Sequence, residues 1–291
     1  MLKPNASLHQ TRSYLYRELR GIYPDGEATS LIRLILEHLG YELSAPVREP
    51  DLKPGSRAIA QINKIVSEIH TQRPIQYILG YTHFCELKIH LNEHVLIPRP
   101  ETEEMVFRII GQMEDPPERV LDIGTGSGCI ALALKNYFPR SDVFGLDASR
   151  EALNVARENA RHTGLSISWI EGDILREFPE EDGMDFDLIV SNPPYVLQSQ
   201  RTTMQANVLQ FEPGHALFVT DKDPLVFYRR IAGFAAVHLG ARGSLWVEIN
   251  EQLGNETARV FKNAGFRNVT VLKDIHEKER FVQVTREPHG I

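Results

Sequence analysis

The sequence predicts an α/β protein, with a mostly parallel seven-stranded sheet covered by helices on both faces and preceded by a small helical domain. From about residue 100 onward, short apolar runs alternate with amphipathic stretches, as strands and helices do in such a sheet. Before residue 80, apolar residues recur at spacings of three and four, which is typical of helix faces. The 291 residues allow one large or two modest domains.

The chain divides into three predicted segments. Residues 1–80 are interpreted as a helical domain that either packs as a structural cap or docks a protein substrate. Its apolar stripes are Leu8, Leu15, Leu19 and Ile22, then Leu31, Ile32, Leu34, Ile35, Leu36 and Leu39, and then Ile59, Ile62, Val66 and Ile69. Alternation of apolar and polar residues predicts a β-hairpin linker over residues 81–98. Residues 99–291 form the predicted catalytic domain.

In residues 99–291, the spacing of the apolar residues predicts a series of helices and strands. Helices are predicted over residues 101–113, 130–137, 149–162, 224–239 and 251–264. Strands are predicted near Val120, Val143, Ile167, Leu188, Leu245, Val269 and Val282. Ligands of open α/β sheets bind at the carboxyl ends of the strands, so the residues that follow each strand are the candidate site.

A glycine-rich turn follows the strand at Val120. The chain there reads Gly124-Thr125-Gly126-Ser127-Gly128. Glycine permits positive φ and close approach of a ligand to the backbone. The spacing departs from the G-x-G-x-x-G of pyrophosphate-binding folds and lacks the G-K-[ST] ending of a P-loop. The turn therefore suits a ligand without phosphates, and all five residues are predicted to contact it.

Acidic residues follow the next two strands. Asp147 ends the strand at Val143, where a carboxylate can accept hydrogen bonds from both hydroxyls of a ribose. Asp173 follows the strand at Ile167, and it can accept a hydrogen bond from an adenine amino group. A nucleoside ligand is therefore expected.

The apolar strand at Leu188 leads into Asn192-Pro193-Pro194-Tyr195. Each proline holds its own φ near −65° and offers no N–H, so the Asn192 side chain and the carbonyls of Asn192 and Pro193 are free to face outward. Such a site can accept two hydrogen bonds from a planar NH₂ group. The simpler interpretation is a turn that ends a strand.

Composition and charge exclude some classes of protein. No run approaches the ~18 apolar residues of a membrane span, and the N-terminus lacks an apolar signal core, so a cytoplasmic protein is expected. Residues 1–100 carry 12 basic and 10 acidic side chains, which leaves 20 basic and 29 acidic ones for the rest. A catalytic part with a net charge of −9 repels nucleic acid. Cys85, Cys129 and the histidines show no metal-binding spacing, so no metal is expected.

Taken together, these motifs resemble class I S-adenosylmethionine-dependent methyltransferases, and among them the HemK/PrmC family. The resemblance covers nearly the whole chain. Beyond the two motifs above, it rests on residues 73–80 (Arg-Pro-Ile-Gln-Tyr-Ile-Leu-Gly), residues 95–103 (Val-Leu-Ile-Pro-Arg-Pro-Glu-Thr-Glu), Glu212-Pro213, Ala216-Leu217 and Glu248-Ile249. Asn-Pro-Pro-aromatic is shared with adenine-N6 and guanine-N2 methyltransferases, whereas Pro-Arg-Pro-Glu-Thr-Glu is far more specific to HemK/PrmC.

The resemblance implies methyl transfer from S-adenosylmethionine to the side-chain amide of the glutamine in the Gly-Gly-Gln motif of peptide chain release factors. A monomer is expected. The resemblance also implies that Asn192 and Pro193 accept hydrogen bonds from the substrate NH₂, with Pro194 beside them, and that Asn192 borders the cofactor. Tyr195 either walls this site or packs in the core.

The resemblance also places the stretch around Arg99 near the methionine end of the cofactor. There Glu103 either faces the cofactor ammonium or, with Glu101, simply favours the start of a helix.

Two positions depart from the family pattern. Ile174 stands where an aromatic residue is usual beside the adenine, so we expect a backbone contact there without ring stacking. Asn250 replaces the glycine of a Glu-Ile-Gly motif, and we expect an effect on strand geometry only.

Three other functions compete with this interpretation. A glutamine methyltransferase of a ribosomal protein has the same chemistry, and an adenine-N6 methyltransferase has the same amide-positioning logic. The second needs a basic face, which the sequence does not show. A non-enzymatic binding module is disfavoured because both the glycine turn and Asn192 are present.

Overall fold

The computed structural model describes residues 1–42, 44–176 and 185–286. The chain forms two compact units. The smaller unit comprises Met1–Gly80 and Ala206–Phe211, and the larger comprises Tyr81–Gln205 and Glu212–Ile291.

Helices and strands are numbered in chain order over the described residues. The helices are α1 (Leu8–Arg20), α2 (Asp25–His38), α3 (Ala45–Arg48), α4 (Gly55–Ile69), α5 (Ile75–Leu79), α6 (Pro100–Gln112), α7 (Cys129–Tyr137), α8 (Arg150–Thr163), α9 (Ala206–Phe211), α10 (Gly214–Leu217), α11 (Val226–His238) and α12 (Gly254–Asn263). The strands are β1 (Tyr81–Phe84), β2 (Leu87–His90), β3 (Arg119–Ile123), β4 (Asp142–Asp147), β5 (Ser168–Glu171), β6 (Phe186–Ser191), β7 (Val196–Leu197), β8 (Phe218–Val219), β9 (Leu239–Glu248), β10 (Asn268–Lys273) and β11 (Glu279–Thr285). A 3₁₀ helix, Gln198–Thr203, follows β7.

The smaller unit is helical, and its core is formed by the apolar faces of α1, α2 and α4. The first helix begins with a capping box, in which Ser7 Oγ accepts from Gln10 N and Gln10 Oε1 accepts from Ser7 N. Almost every residue of the three predicted stripes is buried or partly buried. Ile22 is the exception, because it follows the end of α1 and is 37% exposed.

The larger unit is built on a seven-stranded sheet with the order β10-β11-β9-β6-β3-β4-β5. Strand β11 is antiparallel to both of its neighbours, and every other adjacent pair is parallel. The central strands β3 and β6 are apolar and almost wholly buried, as strands covered on both faces must be. The predicted fold class is confirmed.

The hairpin β1–β2 belongs to the larger unit and is more than a linker. Its turn is Cys85-Glu86, with φ of 46° and 65°. These positive values suit a two-residue hairpin turn, although neither residue is a glycine or asparagine. The hairpin is held to α8, where Asn159 Oδ1 accepts from His90 N at 2.7 Å and Asn159 Nδ2 donates to His90 O at 3.0 Å.

No helix within the three described stretches has both the length and the apolar character that a bilayer crossing requires.

Candidate active site

The four predicted motifs meet at one edge of the sheet. Strands β6, β3, β4 and β5 are adjacent and parallel, so their carboxyl ends lie side by side. A cavity of about 300 Å³ opens there. Of the predicted site residues, it is lined by Gly124, Thr125, Gly126, Ser127, Asp147, Asp173, Ile174, Asn192 and Pro194. The cavity lies at the lower end of the size range of small-molecule sites.

The glycine turn forms one wall of the cavity. Gly124 has a φ of +74°, and a Cβ placed on it would meet no heavy atom within 4 Å. Gly126, with a φ of +55°, donates its N–H to Asp147 Oδ2 at 2.8 Å. The absence of side chains at these two positions leaves the backbone open to a ligand.

Gly128 serves a different purpose from the other two glycines and does not line the cavity. Its φ is +81°, and a Cβ on it would lie 2.8 Å from Trp169 Cη2 and 3.1 Å from Ala156 Cβ. Gly145 on β4 faces the same indole, because a Cβ there would lie 2.4 Å from Trp169 Cζ3. Both glycines therefore make room for the Trp169 ring beneath the turn.

A buried acid, Asp122, supports the turn from below. Its Oδ2 accepts from Thr125 Oγ1 at 2.6 Å and from Ala131 N at 3.2 Å, and the side chain is fully buried. Burial raises the pKa of Asp122 to about 7, against the lowering effect of those two hydrogen bonds. Asp122 was not among the predicted site residues, although it stands two positions before the glycine turn.

Asp147 and Asp173 present carboxylates to the cavity. Asp147 Oδ1 accepts from Ser149 N at 2.9 Å, opposite the Gly126 contact on Oδ2. Burial raises the pKa of Asp147, and the two backbone donors oppose that shift. Asp173 Oδ1 accepts from Leu175 N at 2.9 Å. A carboxylate oxygen has two lone pairs, so each oxygen of Asp147 keeps one for a further donor.

Asn192 emerges from the end of β6 into the cavity. Its Nδ2 donates to Thr102 Oγ1 at 3.0 Å, and Thr102 Oγ1 donates to Glu248 Oε2 at 2.6 Å. In the described parts of the chain, Asn192 Oδ1 receives no hydrogen bond. Pro193 is buried and lies outside the cavity lining.

Tyr195 also lies outside the cavity lining and packs against the core of the larger unit. Its hydroxyl donates to Glu248 Oε1 at 2.8 Å. Its carbonyl accepts from Asn250 Nδ2 at 3.1 Å, and the same amide group donates to Gln200 Oε1 at 3.1 Å. Asn250 therefore holds the Asn-Pro-Pro-Tyr segment, a larger role than the effect on strand geometry expected from the sequence.

The segment before α6 belongs to the stretch that the resemblance places near the cofactor, and it supplies a further wall of the cavity. Its lining residues are His94, Val95, Leu96, Pro98 and Arg99, and Thr102 in the first turn of α6 also lines the cavity. Arg99 Nη2 bonds Glu212 Oε1 at 2.7 Å, and Glu212 Oε2 accepts from Ile97 N at 3.2 Å, which fixes the segment. Glu101 and Glu103 do not line the cavity. Glu103 Oε1 instead accepts from Cys85 N at 2.5 Å.

His215, Ala216 and Phe227 also line the cavity. Ala216 falls in a motif that the resemblance includes, whereas nothing in the local pattern distinguishes Phe227 from other apolar residues of α11. Across the described ranges, no cluster of three or more His, Cys, Asp or Glu could hold a metal ion.

Comparison with known proteins defines the class. A family model described as "Methyltransferase small domain" matches residues 108–217. Among solved structures, the fold is similar to a 16S rRNA N2 G1207 methyltransferase (RsmC) of T. thermophilus in complex with AdoMet and guanosine. The TM-score is 0.51 and the identity 14%, over 71% of this chain and 50% of that chain. The fold is that of a class I S-adenosylmethionine-dependent methyltransferase.

Curated relatives define the family. The release factor glutamine methyltransferase of Flavobacterium psychrophilum is 40% identical over 279 residues, which is 94% of this chain and 97% of that protein. The release factor glutamine methyltransferase of Bacteroides thetaiotaomicron is 38% identical over 280 residues, 96% of this chain and 100% of that protein. The chain belongs to the release factor glutamine methyltransferase family.

Proposed function

We propose that this protein transfers the methyl group of S-adenosylmethionine to the side-chain amide nitrogen, N5, of the glutamine in the Gly-Gly-Gln motif of peptide chain release factors. Family membership over nearly the whole chain supports the reaction and the substrate. The observation that carries it in the structure is the Asn192 amide at the cavity, with Oδ1 free of donors from the described residues.

The residues of the cavity fit S-adenosylmethionine. The glycine turn offers an open backbone at Gly124, and Asp147 has lone pairs left for the ribose hydroxyls. Asp173 and the apolar Ile174 lie in the same lining, where they would hold the adenine. The acids also suit a ligand that carries a sulfonium and an ammonium group against one carboxylate.

Bound S-adenosylmethionine supplies an electrophilic methyl carbon on its sulfonium. The protein must supply the acceptor in the right position, because an amide nitrogen is a poor nucleophile whose lone pair is delocalised. An amide N–H is far less acidic than His or Tyr, so removal of a proton before methyl transfer is disfavoured. Positioning is the remaining route.

Asn192 Oδ1, at the cavity, would accept one N–H of the substrate amide. The backbone carbonyl of Pro193 would accept the other, although the Pro193 side chain is buried and lies outside the cavity lining. This arrangement would turn the nitrogen lone pair toward the methyl carbon. As the new N–C bond forms, the bond from that carbon to the sulfonium sulfur would break and leave S-adenosylhomocysteine, and the methylated amide, now cationic, would release one N–H proton to water. Holding two reactants in near-attack geometry can lower a barrier by roughly 7–11 kcal/mol. Hydrogen bonds that strengthen as the nitrogen becomes pyramidal would favour the transition state over the ground state.

The helical unit would dock the release factor. A chain that begins at residue 81 should methylate a short Gly-Gly-Gln peptide as fast as the full chain does, but intact release factor much more slowly. Equal rates on intact release factor for both chains would leave the helices a purely structural role.

A methylation assay discriminates between the substrate classes. Purified protein and labelled S-adenosylmethionine are incubated separately with release factor, with ribosomal proteins, and with DNA and RNA. Label should enter the release factor alone. Label in nucleic acid would favour an amino methyltransferase of bases, and label only in ribosomal protein would change the substrate while keeping the chemistry.

A further inference from the structure

A hydrogen-bond chain connects the Asn192 amide to a buried carboxylate. Asn192 Nδ2 donates to Thr102 Oγ1, and Thr102 Oγ1 donates to Glu248 Oε2. Tyr195 Oη donates to the other carboxylate oxygen, Glu248 Oε1. Thr102 lies in the first turn of α6 and Glu248 at the end of β9, and the two are 2% and 1% exposed. Elements far apart in the sequence thus converge on one amide.

The direction of donation along these hydrogen bonds follows from the number of protons that Thr102 and Glu248 carry. A threonine hydroxyl has one proton, and an ionised carboxylate can only accept. The proton of Thr102 is therefore committed to Glu248, so toward Asn192 the hydroxyl offers only a lone pair. The NH₂ of Asn192 must face Thr102, and Oδ1 must face the other way.

This orientation decides whether the site can hold a substrate amide. The two orientations of an asparagine amide differ by a half-turn about χ2, and their shapes are nearly identical. With Oδ1 toward the substrate, the site accepts an N–H of the substrate. With Nδ2 there, two NH₂ groups would face each other and the substrate nitrogen would be turned away.

We propose that Thr102 and Glu248 are positioning residues, which hold the Asn192 amide with its oxygen toward the substrate glutamine. The inference rests on the proposed function for the identity of the substrate. Neither residue touches the reacting atoms in this scheme, because both act through Asn192.

The surroundings of Glu248 make this hydrogen-bond chain sensitive to protonation of the Glu248 carboxylate. Thr102 and Tyr195 bond its carboxyl, and Arg280, Glu101 and Tyr228 interact with it electrostatically. Burial raises the pKa of Glu248, and the hydrogen bonds from Thr102 and Tyr195 and the Arg280 charge oppose the shift. A protonated Glu248 would donate to Thr102, which would turn its own proton toward Asn192 and reverse the amide.

The test compares Thr102→Val, which replaces the hydroxyl by a methyl group of similar size, with Thr102→Ser, which keeps the hydroxyl. In the valine variant, kcat on release factor should fall about 10-fold or more, as expected for loss of one orienting hydrogen bond. The serine variant should retain most of the rate. Calorimetric affinity for S-adenosylhomocysteine should change by less than about 3-fold in both. A wild-type kcat in Thr102→Val, or equal losses in both variants, would overturn the proposal.

A second readout needs no turnover. The side-chain NH₂ signal of Asn192, assigned by its loss in Asn192→Ala, is followed by ¹H–¹⁵N NMR as the pH is lowered. It should shift as Glu248 takes up a proton in the wild type and in Thr102→Ser, and stay unchanged in Thr102→Val. A signal that behaves identically in all three proteins would contradict the proposal, even if release factor proved not to be the substrate. Failure of the wild type to methylate release factor, in contrast, would count against the proposed function alone.

Discussion

Three glycines share a left-handed backbone but differ in what a side chain would meet. The φ angles are +74° at Gly124, +81° at Gly128 and +71° at Gly164. A Cβ would meet no heavy atom within 4 Å at Gly124 or Gly164, whereas at Gly128 it would lie 2.8 Å from Trp169. Alanine should therefore impose a similar backbone penalty at all three positions, with a clash in the protein at only one.

The magnitudes follow from these surroundings. The left-handed conformation costs an alanine about 1–2 kcal/mol, and overpacking in a well-packed region adds about 1–3 kcal/mol. Gly124→Ala and Gly164→Ala should each lower the free energy of unfolding by about 1–2 kcal/mol. Gly128→Ala should lower it by about 2–5 kcal/mol. Urea unfolding of the three variants and the wild type measures these differences.

Cofactor affinity provides the second half of the test. The Cβ of Gly124→Ala would enter the cavity, so calorimetric affinity for S-adenosylhomocysteine should fall at that position. Affinity should equal the wild-type value in Gly164→Ala, the control, and should stay near that value in folded Gly128→Ala. The reasoning is refuted if Gly128→Ala is no less stable than Gly164→Ala, or if it loses as much affinity as Gly124→Ala.

Three further predictions address the acids and the amide. Asp147→Ala should weaken S-adenosylmethionine and S-adenosylhomocysteine equally, since the ribose does not change in the reaction; unequal calorimetric losses would contradict this. Asn192→Ala should lose about 10²–10³ in kcat by analogy with an oxyanion-hole donor, with cofactor affinity retained; a near-normal turnover would rule out amide positioning. The raised pKa of Asp122, about 7, means that the folded state holds a proton that the unfolded state releases above about pH 4. Wild-type stability should therefore decline between pH 4 and 7 by up to about 4 kcal/mol relative to Asp122→Asn; parallel pH profiles would contradict this.

The fold class could be predicted because apolar residues recur at a regular spacing in each long helix and strand. The apolar runs at Val120 and Leu188 are buried on both faces in the sheet, as their composition indicated. The family resemblance is confirmed by relatives that match almost the whole chain. The short elements between residues 196 and 219 were not predicted, because two-residue strands carry no periodicity.

The candidate site was only partly predictable. Residues directly after strands, such as Asp147 and Asn192, could be located because parallel strands end at one edge. Gly128 could not be separated from Gly124 in sequence, since its partner Trp169 comes from β5, some 40 residues later. The role of Thr102 could not be predicted for a similar reason, because its contact with Glu248 spans 146 positions.

The most direct test of the account is the position of the methyl group on the release factor. Wild-type release factor and a variant with the Gly-Gly-Gln glutamine changed to alanine are each incubated with the protein and S-adenosylmethionine, and their peptides are mapped by mass spectrometry. The account predicts one added methyl group on that glutamine in the wild type and none in the variant. Methylation that persists in the variant, or that falls on another residue, would contradict it.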